Sequence, residues 1–457
     1  MGNGVVWHWS EACLALGLPS AGGPDIRGVS IDTRTLQSGD LFVALRGDPG
    51  PRFHSASVSE RDGHDYVGDA QRRGAVGVLT HKATGTTLPE LRVADTLDGL
   101  WALGRAARRR LACPVFAVTG SSGKTTVRAF LAAALGLPQV AGSLNNFWGV
   151  PLSLARTPAD ARAAVFEIGT NHPGEIEPLA RLVNPTVALV LNVRPAHLEF
   201  FESFAALQRE KFSIYNGLTS DGVAVVPDEY DTASISGTRH LTFGHSRHAD
   251  VALLDYDDAT RSARYRIGAA TTTARVPAGG EHRALSLAAT LACLTAAGLP
   301  VDSAVELPDD VVPVGRGTRR TVAGVLLVDD SYNANPASMA AALASLAREP
   351  AGRRIAILGE MLELGNDSER FHRELAATCR GLTSIVCVGA GMGALWQALP
   401  PEQRWLYADR VDDALVAEVA GGLRPDDAVL IKGSNRVFWQ HRFVARLVDA
   451  LRAGDAA

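Results

Sequence analysis

Apolar residues along the chain come in short runs broken by Gly, Ser, Asp and Pro, and the make-up of each run sets the element it predicts. From about Cys113 the runs "VFAVTG", "AAVFEIG", "PTVALVLNV" and "GVAVVP" are nearly uniformly apolar, as strands covered on both faces of a parallel sheet must be. Helix-like stretches separate them, and this alternation predicts an α/β nucleotide-type domain. Beyond "VPVGRGTRR" it restarts with "GVLLVDDSY", "RIAILGEM", "SIVCVGAG" and "DAVLIKGS", so a further doubly wound domain is predicted to begin near Pro313. Before Cys113 the strand-like pieces are shorter, "VSIDTR", "DLFVALRG" and "GAVGVLT", with "DGHDYVGDAQRRGA" reading as a helix; together they predict a small α/β unit. Residues 47–63, "GDPGPRFHSASVSERDG", are too polar to bury and predict a loop. The expected division is 1–105, 106–312 and 313–457.

Length agrees with that division, since 457 residues at roughly 150 per domain make about three. The 45 Lys and Arg against 49 Asp and Glu leave a net charge of −4, so no global basic field points to nucleic acid or to an anionic membrane. Five cysteines (Cys13, Cys113, Cys293, Cys379, Cys387) without C-x-x-C spacing suit reduced thiols better than a disulfide frame or zinc site. The N-terminal stretch lacks the basic and apolar regions of a signal peptide, and no run reaches the ~18 apolar residues of a membrane span. A soluble, cytoplasmic protein with no membrane insertion is expected.

The chemistry concentrates at residues 116–135, "FAVTGSSGKTTVRAFLAAAL". The strict phosphate-loop pattern asks for Gly where this chain has Val118, yet the mechanics survive. A strand delivers Gly120, Ser121, Ser122 and Gly123 as a turn whose N–H groups can face phosphate. Lys124 supplies a point charge, Thr125 or Thr126 a hydroxyl for Mg²⁺, and the helix start its dipole. "AVFEIGTNHPGEI" ends a strand on Glu167 and "VLNVRPAHLEFF" ends another on Asn192 with His197 just beyond, so a carboxylate and an imidazole leave the same sheet edge as candidate magnesium ligands. By composition alone Glu167 reads as a cap, His197 as an ordinary histidine, and Lys211 in "ALQREKFSIYNGL" as one solvated helix lysine among several.

Taken together, "TGSSGKTT", "NNFWGVPLSL", "EIGTNHPGEI", "NVRPAHLEFF", "GRG", "DDSYNANPASM", "LGEMLELGNDSERFH" and "KGS" occur in the order found in the Mur ligase family, and the chain resembles that family over nearly its whole length. The N-terminal "GVSIDTRTLQSGDLFVALRG" and "DGHDY" extend the likeness. The resemblance implies a three-domain Mur ligase architecture: a UDP-sugar-binding first domain, a central P-loop-type nucleotide domain with a parallel-rich sheet, and a Rossmann-like C-terminal domain that closes over ATP and the incoming amine. It implies an ATP-dependent amide ligase of peptidoglycan precursor synthesis, monomeric, joining D-alanyl-D-alanine to UDP-N-acetylmuramoyl-tripeptide with ATP and two Mg²⁺ sites. Ser30, Asp32, Arg34 and Val43, Ala44, Leu45, Arg46 and Gly47 would fall at the UDP-sugar. Residues Gly120–Thr126, with Lys124 on the phosphates, would bind ATP together with Arg316 and Asp330. Thr125 and Glu167 would hold one magnesium and His197 a second, with Lys211 as a carbamate ligand. Asn146 would face the reacting phosphate, while Asn333, Asn335, Lys432 and Ser434 would lie toward the dipeptide.

Some positions depart from the family's common pattern. Arg283 and Ser286 stand where many members carry asparagines, Trp148 replaces a usual aliphatic residue, and Ser213 stands where an acidic residue commonly follows the modified lysine. The D-N-P-R signature of the diamino-acid-adding branch is missing, and GKTT differs from the GKGS of folylpolyglutamate ligases. A nucleotide-driven switch, the reading from another class, would need neither "DDSYNANP" nor a sugar-nucleotide domain.

Overall fold

Among the described residues three sheets follow one another along the chain. The computed structural model describes residues 4–50, 61–139, 144–194 and 198–455. The first sheet is parallel and four-stranded, in the order β1 (Gly28–Ser30), β2 (Asp40–Val43), β3 (Gly77–Thr80), β4 (Glu90–Arg92). The second contains β5 (Val115–Thr119), β6 (Ala164–Glu167), β7 (Val187–Val190), β8 (Val223–Pro227), β9 (His240–Gly244), β10 (Val251–Asp257), β11 (Ser262–Ile267) and β12 (Ala270–Arg275). Its order is β12-β11-β10-β9-β8-β7-β5-β6, parallel from β10 to β6 and antiparallel only at β10, β11 and β12. The third contains β13 (Thr318–Val322), β14 (Val325–Asp330), β15 (Arg353–Gly359), β16 (Ser384–Val388), β17 (Arg404–Ala408) and β18 (Asp427–Lys432), in the order β13-β14-β18-β15-β16-β17. There only the edge pair β13 and β14 is antiparallel.

The expected central strands are all present. The sequence pattern missed β9 to β12; of these, β11 "SARYRI" and β12 "ATTTAR" alternate or are polar, as hairpin strands wet on one face must be. It also missed the edge strands β4, β13 and β17. "DLFVALRG" is strand only as far as Val43, and "DGHDYVGDAQRRGA" is a 3₁₀ turn, Gly63–Tyr66, running into a short helix, Val67–Arg72. Residues 51–60 of the expected polar loop lie outside the described residues.

The first two units share one core. Trp7, Leu41 and Leu79 join Val115, Val150, Phe166 and Val190 in a single buried cluster, and the Trp7 indole donates to Ala155 O at 2.8 Å. The third sheet keeps its own clusters, one around Leu327, Ile357 and Val429 and one around Met339, Leu358 and Leu430. A continuous core makes the first two units one body, while the third is attached through residues 312–317 and side-chain contacts across a cleft. The five cysteines are free thiols, and among the described residues no helix is long and apolar enough to cross a membrane.

Candidate active site

β5 runs buried to Thr119, the chain turns through residues 120–123, and the helix Lys124–Ala134 begins. Gly123 makes the turn possible: its φ is +79°, and a Cβ there would sit 2.8 Å from Leu191 Cδ2. The loop is pinned rather than loose. Ser121 N donates to Asn192 O (3.0 Å) and Ser122 N to Asn192 Oδ1 (3.1 Å), while Asn192 Nδ2 donates to Ser122 O (3.1 Å). Ser121 Oγ donates to Arg194 O and accepts from Arg194 N, both at 2.9 Å. This corrects the expectation that the whole turn offers its N–H groups to phosphate. Those of Ser121 and Ser122 are taken by Asn192, just beyond β7, and the first turn of the helix that starts at Lys124 leaves N–H groups without intrahelical partners, as every helix start does. Lys124 Nζ donates to Gly120 O at 2.7 Å, which holds the ammonium across the mouth of the loop.

Glu167, 3% exposed at the end of β6, accepts from Thr125 Oγ1 and from Asn145 Nδ2, both at 2.9 Å, and Arg128 Nε stands 3.8 Å from its Oε2. Asn145 and Arg128 were not foreseen. Arg128 could have been, because it lies four residues after Lys124 on the same helix face. The neighbouring Asn146 uses its Oδ1 to accept from Gly149 N (2.9 Å) at the start of the helix Gly149–Ala155, while its residue still lines the cleft. Burial and the nearby Arg316 depress the Lys124 amine, and Glu167 opposes them; Lys124, Glu167 and Arg316 therefore act on one another across the same space.

Lys211 departs most from its composition-level reading as a solvated lysine. It is 1% exposed on the helix Phe204–Phe212, beneath the site. Among the described residues its Nζ has no hydrogen-bond partner. Burial, reinforced by the Lys124 charge, pushes its amine well below the ordinary lysine value, against the weaker pull of Glu210 and Glu175. Glu210 is occupied elsewhere, accepting from Gly174 N (2.7 Å) and Ile176 N (2.8 Å) at the start of the helix Ile176–Val183. His197 lies outside the described residues, and among those described no group of three or more His, Cys, Asp and Glu side chains is gathered for a metal.

The third unit closes the other side. Arg316 places its guanidinium 4.0 Å over the Tyr332 ring, and both line the cleft with Asp330, Asn333, Asn335 and Lys432. Asp330 and Lys432 face each other in the β14–β18 register and pair at 2.7 Å, with Lys432 Nζ also donating to Asn333 O (3.0 Å). Asn335 caps the helix Pro336–Ala347 by accepting from Ser338 N. Ser434 accepts from Leu362 N (3.0 Å) and lines a smaller adjoining cavity of ≈ 240 Å³ together with Ser121, Asn333 and Asn335.

From the first unit Leu45, Arg46 and Gly47 reach the cleft beside Asp95, which accepts from Arg46 Nη2 at 2.7 Å. The other expected sugar-nucleotide residues do not line it. Val43 and Ala44 are wholly buried in the core, Ser30 is buried and donates to Asp32 O (3.0 Å), and Arg34 pairs with Asp32 on the surface. The whole cleft, ≈ 920 Å³, is bordered by all three units and lies toward the upper end of the size range of small-molecule sites. A phosphate loop, a buried carboxylate and cations from two sides make it a place where several anionic oxygens can be held together.

Comparison with known proteins agrees with this arrangement. The Mur ligase middle domain matches residues 118–294, and the Mur ligase glutamate ligase domain matches residues 315–435. The UDP-N-acetylmuramoyl-tripeptide--D-alanyl-D-alanine ligase of Escherichia coli is 34% identical over 79% of this chain and 81% of its own. The protein of that name from Rickettsia prowazekii is 29% identical over 95% of this chain and 98% of its own. The crystal structure of MurF ligase from Thermotoga maritima in complex with ADP superposes with a TM-score of 0.77 at 27% identity, covering 94% of this chain and 98% of that one. The chain belongs to the Mur ligase family, and its likeness within that family is to the UDP-N-acetylmuramoyl-tripeptide--D-alanyl-D-alanine ligases.

Proposed function

We propose that the chain joins the amine of D-alanyl-D-alanine to the terminal carboxylate of UDP-N-acetylmuramoyl-tripeptide, converting ATP to ADP and phosphate, as a cytoplasmic monomer in peptidoglycan precursor synthesis. The observation that carries this is the shared cleft, into which the first unit brings Arg46, the central unit Lys124 and Glu167, and the third Arg316, Asp330 and Lys432. A condensation of two substrates driven by a nucleotide needs three binding faces on one space. The division at 1–105, 106–312 and 313–457 assigns these faces to sugar-nucleotide, ATP and dipeptide.

A carboxylate resists attack by an amine, so it is first activated. One carboxylate oxygen attacks the γ-phosphorus, the bond to the β-phosphate oxygen breaks, and ADP leaves an acyl phosphate. The dipeptide amine then adds to the carbonyl carbon, loses a proton, and phosphate departs. Lys124 and the helix-start N–H groups neutralise the transferring phosphoryl group, and Arg316 approaches it from the third unit. Asn146 faces the reacting phosphate. Thr125 and Glu167 supply the hard oxygens that magnesium takes alongside substrate phosphates and water, and a bound ion there would stabilise charge on the phosphoryl oxygens. His197 and Lys211 belong to a second such site. A protonated lysine could not serve, whereas a buried neutral amine adds to CO₂ with loss of one proton and becomes an anionic carbamate. Asn333, Asn335, Lys432 and Ser434 border the dipeptide side, and Leu45, Arg46 and Gly47 the sugar-nucleotide side.

ADP release tests the reading. It is expected only when UDP-N-acetylmuramoyl-tripeptide and D-alanyl-D-alanine are both present, and to fail when free amino acids replace the dipeptide. ADP release without either substrate, or with a single amino acid in place of the dipeptide, would contradict it.

A further inference from the structure

Arg283 stands at the joint between the central and third units. It lies on the helix Glu281–Ala296 and is only 7% exposed. Its Nη1 donates to Gly279 O at 2.6 Å, and its Nη2 crosses the joint to donate to Arg316 O at 2.9 Å. Residues 315–317 are shaped to admit it: Gly317 has φ +85°, and a Cβ there would overlap Arg283 Nη2. From the far side Gly317 N donates to Asp329 O (2.6 Å), and Gly315, φ +76°, lies against the Trp439 ring. Between the two glycines Arg316 projects over Tyr332 into the cleft.

A buried guanidinium that donates to two neutral carbonyls is a costly packing element, and the negative charges of Asp330 and Asp309 only partly offset its burial. Its fork of donors with no acceptor suits it to gripping carbonyl oxygens. We propose that Arg283 is a positioning residue for Arg316: by holding the Arg316 carbonyl it fixes the joint so that the Arg316 guanidinium stays in the cleft opposite Lys124, and so couples the seating of the third unit to the nucleotide site. The proposal rests on the reading of Arg316 as a nucleotide-facing residue.

A double-mutant cycle tests it. Arg283→Ala is expected to lower kcat/KM for ATP about tenfold or more, with KM for the sugar-nucleotide substrate changed less than about twofold. In an Arg316→Ala background the same change should cost less than about twofold, because the group it positions is gone. Arg283→Lys, which keeps one donor head, should recover part of the loss and provides a folded variant for the cycle if alanine is not tolerated. Equal losses in both backgrounds would mean that Arg283 acts only through packing, and would overturn the proposal. An impaired Arg316→Ala with additive effects leaves the nucleotide reading intact and removes only the positioning role; a wild-type-like Arg316→Ala removes both.

Discussion

Lys124→Ala should reduce ligation by ~10²-fold or more, the usual effect of removing one charge contact from a phosphoryl-transfer transition state, and should leave the fold intact. The lysine is half-buried at the wall of the cleft, and among the described residues its ammonium is held by the Gly120 carbonyl, so little packing depends on it. Steady-state rates with an unfolding curve on the same preparation check both halves. More than about a tenth of wild-type activity would mean that the phosphates do not lie over residues 120–126. The pinned loop sharpens the expectation, because Ser121 and Ser122 already give their N–H groups to Asn192 and cannot take over the lost charge.

Lys211→Ala should be inactive, again by ~10²-fold or more, and partly rescued by a short carboxylic acid added to the assay. The side chain has no surface role to lose, being 1% exposed, so a near-wild-type rate would leave its burial without a catalytic meaning. Stability gives a second readout. Burial holds the folded-state amine well below its ordinary 10.5, so between that depressed value and 10.5 the unfolded chain binds a proton that the folded chain does not. Wild-type stability therefore rises with pH across that window. In CO₂-depleted buffer Lys211→Met should be the more stable protein, and its advantage should shrink as pH climbs toward 10.5. A gap that does not change with pH would contradict a neutral buried amine.

The phosphate loop was legible in the sequence because GKTT sits between a strand buried on both faces and an apolar helix, a local pattern with a local cause. Lys211 was legible only through resemblance. In "QREKF" nothing local separates the buried lysine from exposed neighbours; what buries it is the docking of its helix, whose Glu210 caps Ile176–Val183 from a distance. Asn145 and Asn146 were told apart only by the fold, which turns one toward Glu167 and the other onto Gly149. The burial of the Val43 and Ala44 side chains was illegible for a related reason, since it comes from the cover on both faces of β2, which the local sequence does not show. Arg283 stood out in the sequence only as a departure from the family's asparagines, and its contact could not be read there, because the carbonyl it grips belongs to Arg316 in another unit.

The acyl-phosphate route makes the most direct claim. With both oxygens of the tripeptide's terminal carboxylate labelled with ¹⁸O, ligation to D-alanyl-D-alanine should transfer one label into the released phosphate, because that oxygen bridges carbon and phosphorus in the intermediate. Phosphate released without label while the amide forms would contradict the account.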